Sequence, residues 1–393
     1  MVSLHSTHVE ASPPEVPGPA TSARSRTIAG FSAASNGSTS ATCSTCHQEI
    51  GREWSASMHH GSWTDPVFQK AYAIEPKAFC RGCHAPESDP IAPPSRAAQD
   101  EGITCLSCHA TGGSIAGHKS VTAPLSSPTA IPSGSAPAVS PHPVSAAPWL
   151  STAQACEGCH QFNFPKDANQ LVPSPMQNTH NEWRSSSFAN TACQSCHMPL
   201  VDDGNGTTHH NHDFSVIKNP SLIRRAVRVS ATRPTNSTLE ARLESAWVGH
   251  AFPTGDMFRR LQFRVYAVDA TGGKTKLLAR PIDLARTFRD VPLHPDSNVD
   301  FSTQRVEGHD HRLGPPGTSH DHRDLHVDLR EAEALARVQW ELVYQRMMTP
   351  LAESFGINQV EDELVLASGT LESASPPSTS ASAAPNLTPT PSR

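Results

Sequence analysis

The sequence predicts an α+β chain in two parts. An N-terminal domain of short helices and coil is organised around a repeated cysteine motif, and an antiparallel β-sandwich-like domain follows it. Three observations lead there. All ten cysteines lie between Cys43 and Cys196, in five copies of one five-residue block. Apolar residues make up only 36% of 393 residues, with 35 Pro and 23 Gly, where a globular chain averages about 45–50%. From residue 221 the cysteines stop, and apolar and polar residues alternate as they do in half-buried strands.

The blocks span Cys43–His47, Cys80–His84, Cys105–His109, Cys156–His160 and Cys193–His197. Each reads C-x-x-C-H, the pattern of a c-type haem attachment site. Two thiols three residues apart can each form a thioether to one porphyrin edge, and the adjoining His can bind the iron as proximal ligand. A lone C-x-x-C also suits a redox pair or half a zinc site, and two of them suit a zinc ribbon or part of an iron–sulfur ligand set. None of these, nor a disulfide framework, needs His after the second Cys five times out of five. The expected cofactor is therefore haem c, five groups per chain. Cys43, Cys46, Cys80, Cys83, Cys105, Cys108, Cys156, Cys159, Cys193 and Cys196 are its attachment points. His47, His84, His109, His160 and His197 are the proximal ligands. Haem also supplies apolar surface that the polypeptide lacks.

A net charge of −6 argues against nucleic acid as a partner. No apolar run approaches the ~18 residues of a membrane span. Residues 1–40 are rich in Ser, Ala, Thr and Pro and read as disordered. They lack the apolar core of a signal peptide. Covalent haem attachment nevertheless implies export, so a periplasmic or extracellular location is expected, with the export signal not visible in this stretch.

The cytochrome domain is expected over residues 41–220. After His47, the residues Ile50, Trp54 and Met58 form a short helical stripe that ends on His59 and His60. The segment between Cys83 and Cys105 is Pro-rich and cannot hold a long helix, so the second and third sites are expected to be near neighbours. Residues 111–150 form a low-complexity linker interrupted by His118 and His142. The run Glu53-Trp54-Ser55-Ala56-Ser57 is echoed by Glu182-Trp183-Arg184-Ser185-Ser186, a weak internal repeat. There Phe188 takes the place of His59, and His180 is a possible substitute ligand. His209, His210 and His212 cluster after the last motif. Their number and the preference of irons for imidazole make at least one of them a ligand candidate.

The β-rich domain is expected over residues 221–371. Val227, Val229 and Ala231, then Leu239, Ala241 and Leu243, then Leu261, Phe263, Val265 and Ala267, then Val338, Trp340, Leu342 and Tyr344 alternate with polar residues. Asp269 to Lys274 is a turn between strands, several short strands suggest a sandwich, and a short helix is expected near Pro350–Phe355. His309, His311, His320, His322 and His326, with Asp310 and Asp321, suit zinc or copper but read better as polar loops between strands. Residues 372–393 read as a disordered tail.

The five motifs, the stretch Trp54-Ser55-Ala56-Ser57-Met58-His59, the turn Cys196-His197-Met198-Pro199 and the loop from Gly249 to Asp256 together resemble multihaem c-type cytochromes of the cytochrome c554 kind. The resemblance covers about residues 41–260, with the β domain a looser match. It implies that His59 ligates a haem other than its own, with His60 the rival. It implies that His142, placed shortly before the next motif, is a distal ligand, and that His212, in a His-x-Phe, is the first choice of its cluster. It implies that His250, in Gly249-His250-Ala251-Phe252-Pro253-Thr254-Gly255, reaches back to a haem. His118 completes the distal candidates.

Two functions follow. With two His on each iron the coordination sphere is closed and only outer-sphere electron transfer remains, between redox partner proteins such as quinol-oxidising or terminal reductase complexes. With one iron left open, the protein would be an oxidoreductase for a small nitrogen or sulfur compound, and Phe188 is the sequence's hint of such a site. The β domain could in addition dock a partner.

Overall fold

The computed structural model describes residues 39–89, 92–111, 114–117, 142, 144–164, 174–202, 206–214, 216–292, 303–357 and 363–374. His118, nearly all of residues 1–40, most of the linker and most of the tail lie outside them.

Each motif forms a helical turn. Four of them close short helices: Ala78–His84, Cys105–His109, Gln154–His160 and Cys193–His197. The first begins in the last turn of the helix Thr39–Ser44, and the N–H of His47 donates to the carbonyl of Cys43 at 3.0 Å. Helical spacing explains the motif, because positions i, i+3 and i+4 share one face. Both thiols and the imidazole of each block therefore point the same way. Other short helices are capped by side chains: Asp65 before Pro66–Ile74, Ser95 before Arg96–Glu101 and Asn219 before Pro220–Arg225. The linker is not wholly structureless at its ends. Ser114–Gly117 pairs with Ala110–Thr111 and, in parallel, with Val144–Ala146.

Beyond residue 226 two antiparallel sheets stack. The larger runs Thr303–Asp310, Ile282–Pro292, Arg260–Val268, Arg337–Gln345 and Glu363–Glu372 in spatial order, with Lys274–Leu277 also paired to Arg260–Val268. The smaller runs His322–Asp328, Thr238–Ser245 and Val227–Thr235. Alternation puts Leu239, Leu243 and Leu325 of the small sheet against Leu261, Phe263, Val265 and Leu342 of the large one, in a single buried cluster. Burying each such side chain is worth roughly 1.5–3 kcal/mol. The expected helix is Thr349–Phe355. His309 and His322 lie on strands rather than in loops.

The sandwich is tied to the N-terminal domain by polar contacts. Arg346 forms a nearly buried ion pair with Asp65. Arg286 donates to the carbonyls of Met176, at 3.1 Å, and Pro175. The N–H of Ser187 donates to the carbonyl of Pro316 at 2.8 Å.

Candidate haem-binding centre

Histidines far apart in sequence meet in pairs. The rings of His59 and His160 lie 6.4 Å apart centre to centre, those of His109 and His212 6.2 Å, and those of His197 and His250 6.2 Å. An imidazole nitrogen binds a metal at about 2.0–2.1 Å, so two imidazoles on opposite sides of one ion stand about 6.3 Å apart, centre to centre. All three separations fit that spacing. Each pair joins a motif His to one from elsewhere. His142 lies close enough to His47 to act on its charge.

The ring orientations suit ligation as well. Nδ1 of His212 is 2.6 Å from the carbonyl of His210, Nδ1 of His250 is 2.9 Å from that of Ala251, and Nδ1 of His84 is 2.7 Å from that of Ser62. A proton held on Nδ1 leaves Nε2 as the ligand nitrogen. Desolvation, reinforced by neighbouring imidazoles, pushes His59, His160, His197 and His212 from 6.5 down to about 4. It also lowers His47, His84 and His250. Neutral imidazole is the form that takes a metal. The donor set therefore fits haem c.

His84 differs. The ring of Phe68 stacks on it at 3.6 Å and 8°. Among the described residues no second imidazole stands opposite it at the trans spacing. Phe188, the expected marker of an open site, lies elsewhere, with its Cβ 3.5 Å from where a side chain on Gly249 would begin.

The rival histidines have other contacts. His60 packs on Trp54 at 4.5 Å and bonds the carbonyl of Ser55. His180 sits 3.5 Å from Glu157 and beside Trp183. His209 pairs with Glu53 at 3.0 Å, and His210 bonds the carbonyl of Met198. The second His-rich region holds no group of three or more metal-binding side chains among the described residues. Asp310 instead bonds Arg312, and Asp321 bonds His322.

Thiols of different motifs touch. Cys43 lies beside Cys105, Cys83 beside Cys159 and Cys156 beside Cys193, with Cys108 also near Cys156. The second motif therefore meets the fourth, although the third is its nearer neighbour in sequence.

Sequence reasoning missed the residues that hold the distal loops. Glu182, buried, takes hydrogen bonds from Arg312 at 2.7 Å and from the Thr254 hydroxyl at 2.6 Å. Arg312 also donates to the carbonyl of Pro253 at 2.8 Å. Glu182 stood in the internal repeat, which was the available signal. Arg259 bonds Asp256 at 2.9 Å and its charge is felt by His160 and His250.

A solved structure, a penta-heme cytochrome c552 from Thermochromatium tepidum, aligns with 84% of this chain and 97% of its own length at a TM-score of 0.62 and 23% identity. The chain shares that cytochrome's fold. No protein-family model and no curated protein matches the sequence. Among the described residues no helix is long and apolar enough to cross a membrane.

Proposed function

We propose that this protein is a multihaem c-type cytochrome, exported from the cytoplasm, that passes electrons between redox partner proteins through five covalently attached haems. The observation that carries the reading is the three imidazole pairs at 6.2–6.4 Å, each opposing a motif His. His142, near enough to His47 to act on its charge, would be that histidine's partner. Bound haem would supply one-electron transfer, with potentials set by axial ligands, burial and hydrogen bonds. The chain's part would be to supply both imidazoles at the paired sites and to hold neighbouring sites close together. The thiol contacts join the first motif to the third, the third to the fourth, and the fourth to both the second and the fifth. The fourth motif is then the junction, and the second is a spur. Quinol-oxidising or terminal reductase complexes suit as partners. Expression with a c-type maturation apparatus and a haemochrome assay tests the reading: five haems per chain are expected, one per motif, and a smaller count rejects it.

The surroundings of His84 favour a second reading beside the first. With Phe68 against its imidazole and no facing His among the described residues, this site suits a five-coordinate iron open to a small nitrogen or sulfur compound. Electron paramagnetic resonance of the oxidised protein should then show a high-spin signal that moves on adding cyanide or nitrite. A wholly low-spin spectrum leaves the carrier alone.

A further inference from the structure

Two adjacent residues, glutamate then tryptophan, occur on two helical turns and make the same two kinds of bond at each. On the helix Gln48–Ala56, Trp54 Nε1 donates to the carbonyl of Ile103 at 2.8 Å, two residues ahead of Cys105. On the helix Thr179–Arg184, Trp183 Nε1 donates to the carbonyl of Thr191 at 2.9 Å, two residues ahead of Cys193. The glutamates reach the other way. Glu53 accepts from the N–H of His212 at 2.9 Å and bonds His209 at 3.0 Å. Glu182 accepts from Thr254 and from Arg312, which also holds the Pro253 carbonyl of the His250 loop. His212 faces His109 and His250 faces His197, each at 6.2 Å.

We propose that each Glu-Trp dipeptide is a positioning bracket for one pair of axial imidazoles. Tryptophan fixes the segment entering the proximal motif, and glutamate fixes the loop bearing the facing histidine. Neighbouring helix residues project about 100° apart, so a single turn can grip both sides of one site. Glu53-Trp54 brackets His109 and His212. Glu182-Trp183 brackets His197 and His250. The proposal rests on the haem reading and adds residues that touch no iron. A merely structural role would weaken the protein as a whole, whereas a bracket acts on one site and leaves the others alone.

The test uses the mature full chain carrying Glu53→Ala or Glu182→Ala. A haemochrome count read alongside separates failure of the haem reading, seen as a low count in the unmodified protein, from failure of the bracket. Glu53→Ala should turn about one haem per chain from low to high spin. Added imidazole should reverse the change, and the signal should match that of His212→Ala. Combining the two should add nothing, as expected for residues acting on one interaction. Glu53→Gln, which keeps an acceptor for the His212 N–H, should stay near the unmodified spectrum. Glu182→Ala should repeat this at the His250 site alone. Unchanged spin states, or the same haem moved by both variants, would overturn the proposal. If an alanine variant does not fold, Trp54→Phe and Trp183→Phe decide instead. Each should shift the potential of its own haem only, and an unaltered set of potentials would refute the bracket.

Discussion

His197 and His250 face each other at 6.2 Å and within 12° of parallel, although one closes a helix of the N-terminal domain and the other sits in a loop of the sandwich. Nothing local brings them together. The loop is seated by the Phe252–Leu313 backbone pair, with N–H to carbonyl distances of 2.8 and 3.1 Å, and by Gly249, which rests against Phe188 and Trp183. His250→Ala should retain five haems and convert one from low to high spin. No spectral change would remove His250 from the ligand set.

Arg312 and Glu182 form an ion pair in which each side chain is 5% exposed. Burial works against the arginine's charge, but Glu182 and Asp310 outweigh it and hold Arg312 ionised. Removing one partner of a buried pair strands the other, at a cost of about 3–5 kcal/mol. Arg312→Met should therefore lower the unfolding free energy, read from denaturant titration, by that order, while Arg305→Met, at an exposed pair with Asp290, should change stability by less than about 1 kcal/mol. Equal losses in the two variants would count against the buried pair.

Acid should weaken the sandwich through Glu363. Burial opposes its ionisation, but hydrogen bonds from Arg264, at 2.9 and 3.0 Å, prevail and hold the carboxyl below its usual 4.5. The unfolded chain thus takes up the proton first as pH falls. The stabilisation is whole above pH 4.5 and is lost as pH drops through the folded value. Glu363→Gln should flatten the fall in stability across that window. A slope identical to that of the unmodified protein would exclude Glu363 as a contributor.

Electron entry into the second site should depend on the fourth. Cys83 meets Cys159, and Cys156 meets Cys193. His59→Ala removes the imidazole facing His160, so its potential and spin state change at the junction. Stopped-flow reduction should then show slower equilibration among the haems with the total electron uptake unchanged. Unaltered kinetics would argue for a route that bypasses the fourth motif.

The sequence made the sandwich readable because alternation is local: Leu261, Phe263 and Val265 declare one face of a strand without reference to any partner. The motifs were readable for the same reason, since one helical turn places both sulfurs and the imidazole on one face. Pairing was not. His59 and His160 are brought together by tertiary packing, which leaves no periodicity behind. Phe188, which takes the place of His59 in the repeat, lies beside Gly249. The echo around Trp183 extends to its bonding, since Trp54 and Trp183 each donate to a carbonyl two residues ahead of a motif. Among the described residues no imidazole faces His84 at the trans spacing, and its neighbour Phe68 carries no sequence signal beyond that of any buried aromatic.

Because the imidazole opposite His197 rides on the sandwich, loss of the β core would take one axial ligand from the haem held there. Heating that loosens the strands should shift that one haem's absorption from low-spin to high-spin form before the covalent links to the porphyrin are touched. The melting curve of a colourless domain could then be followed in visible light.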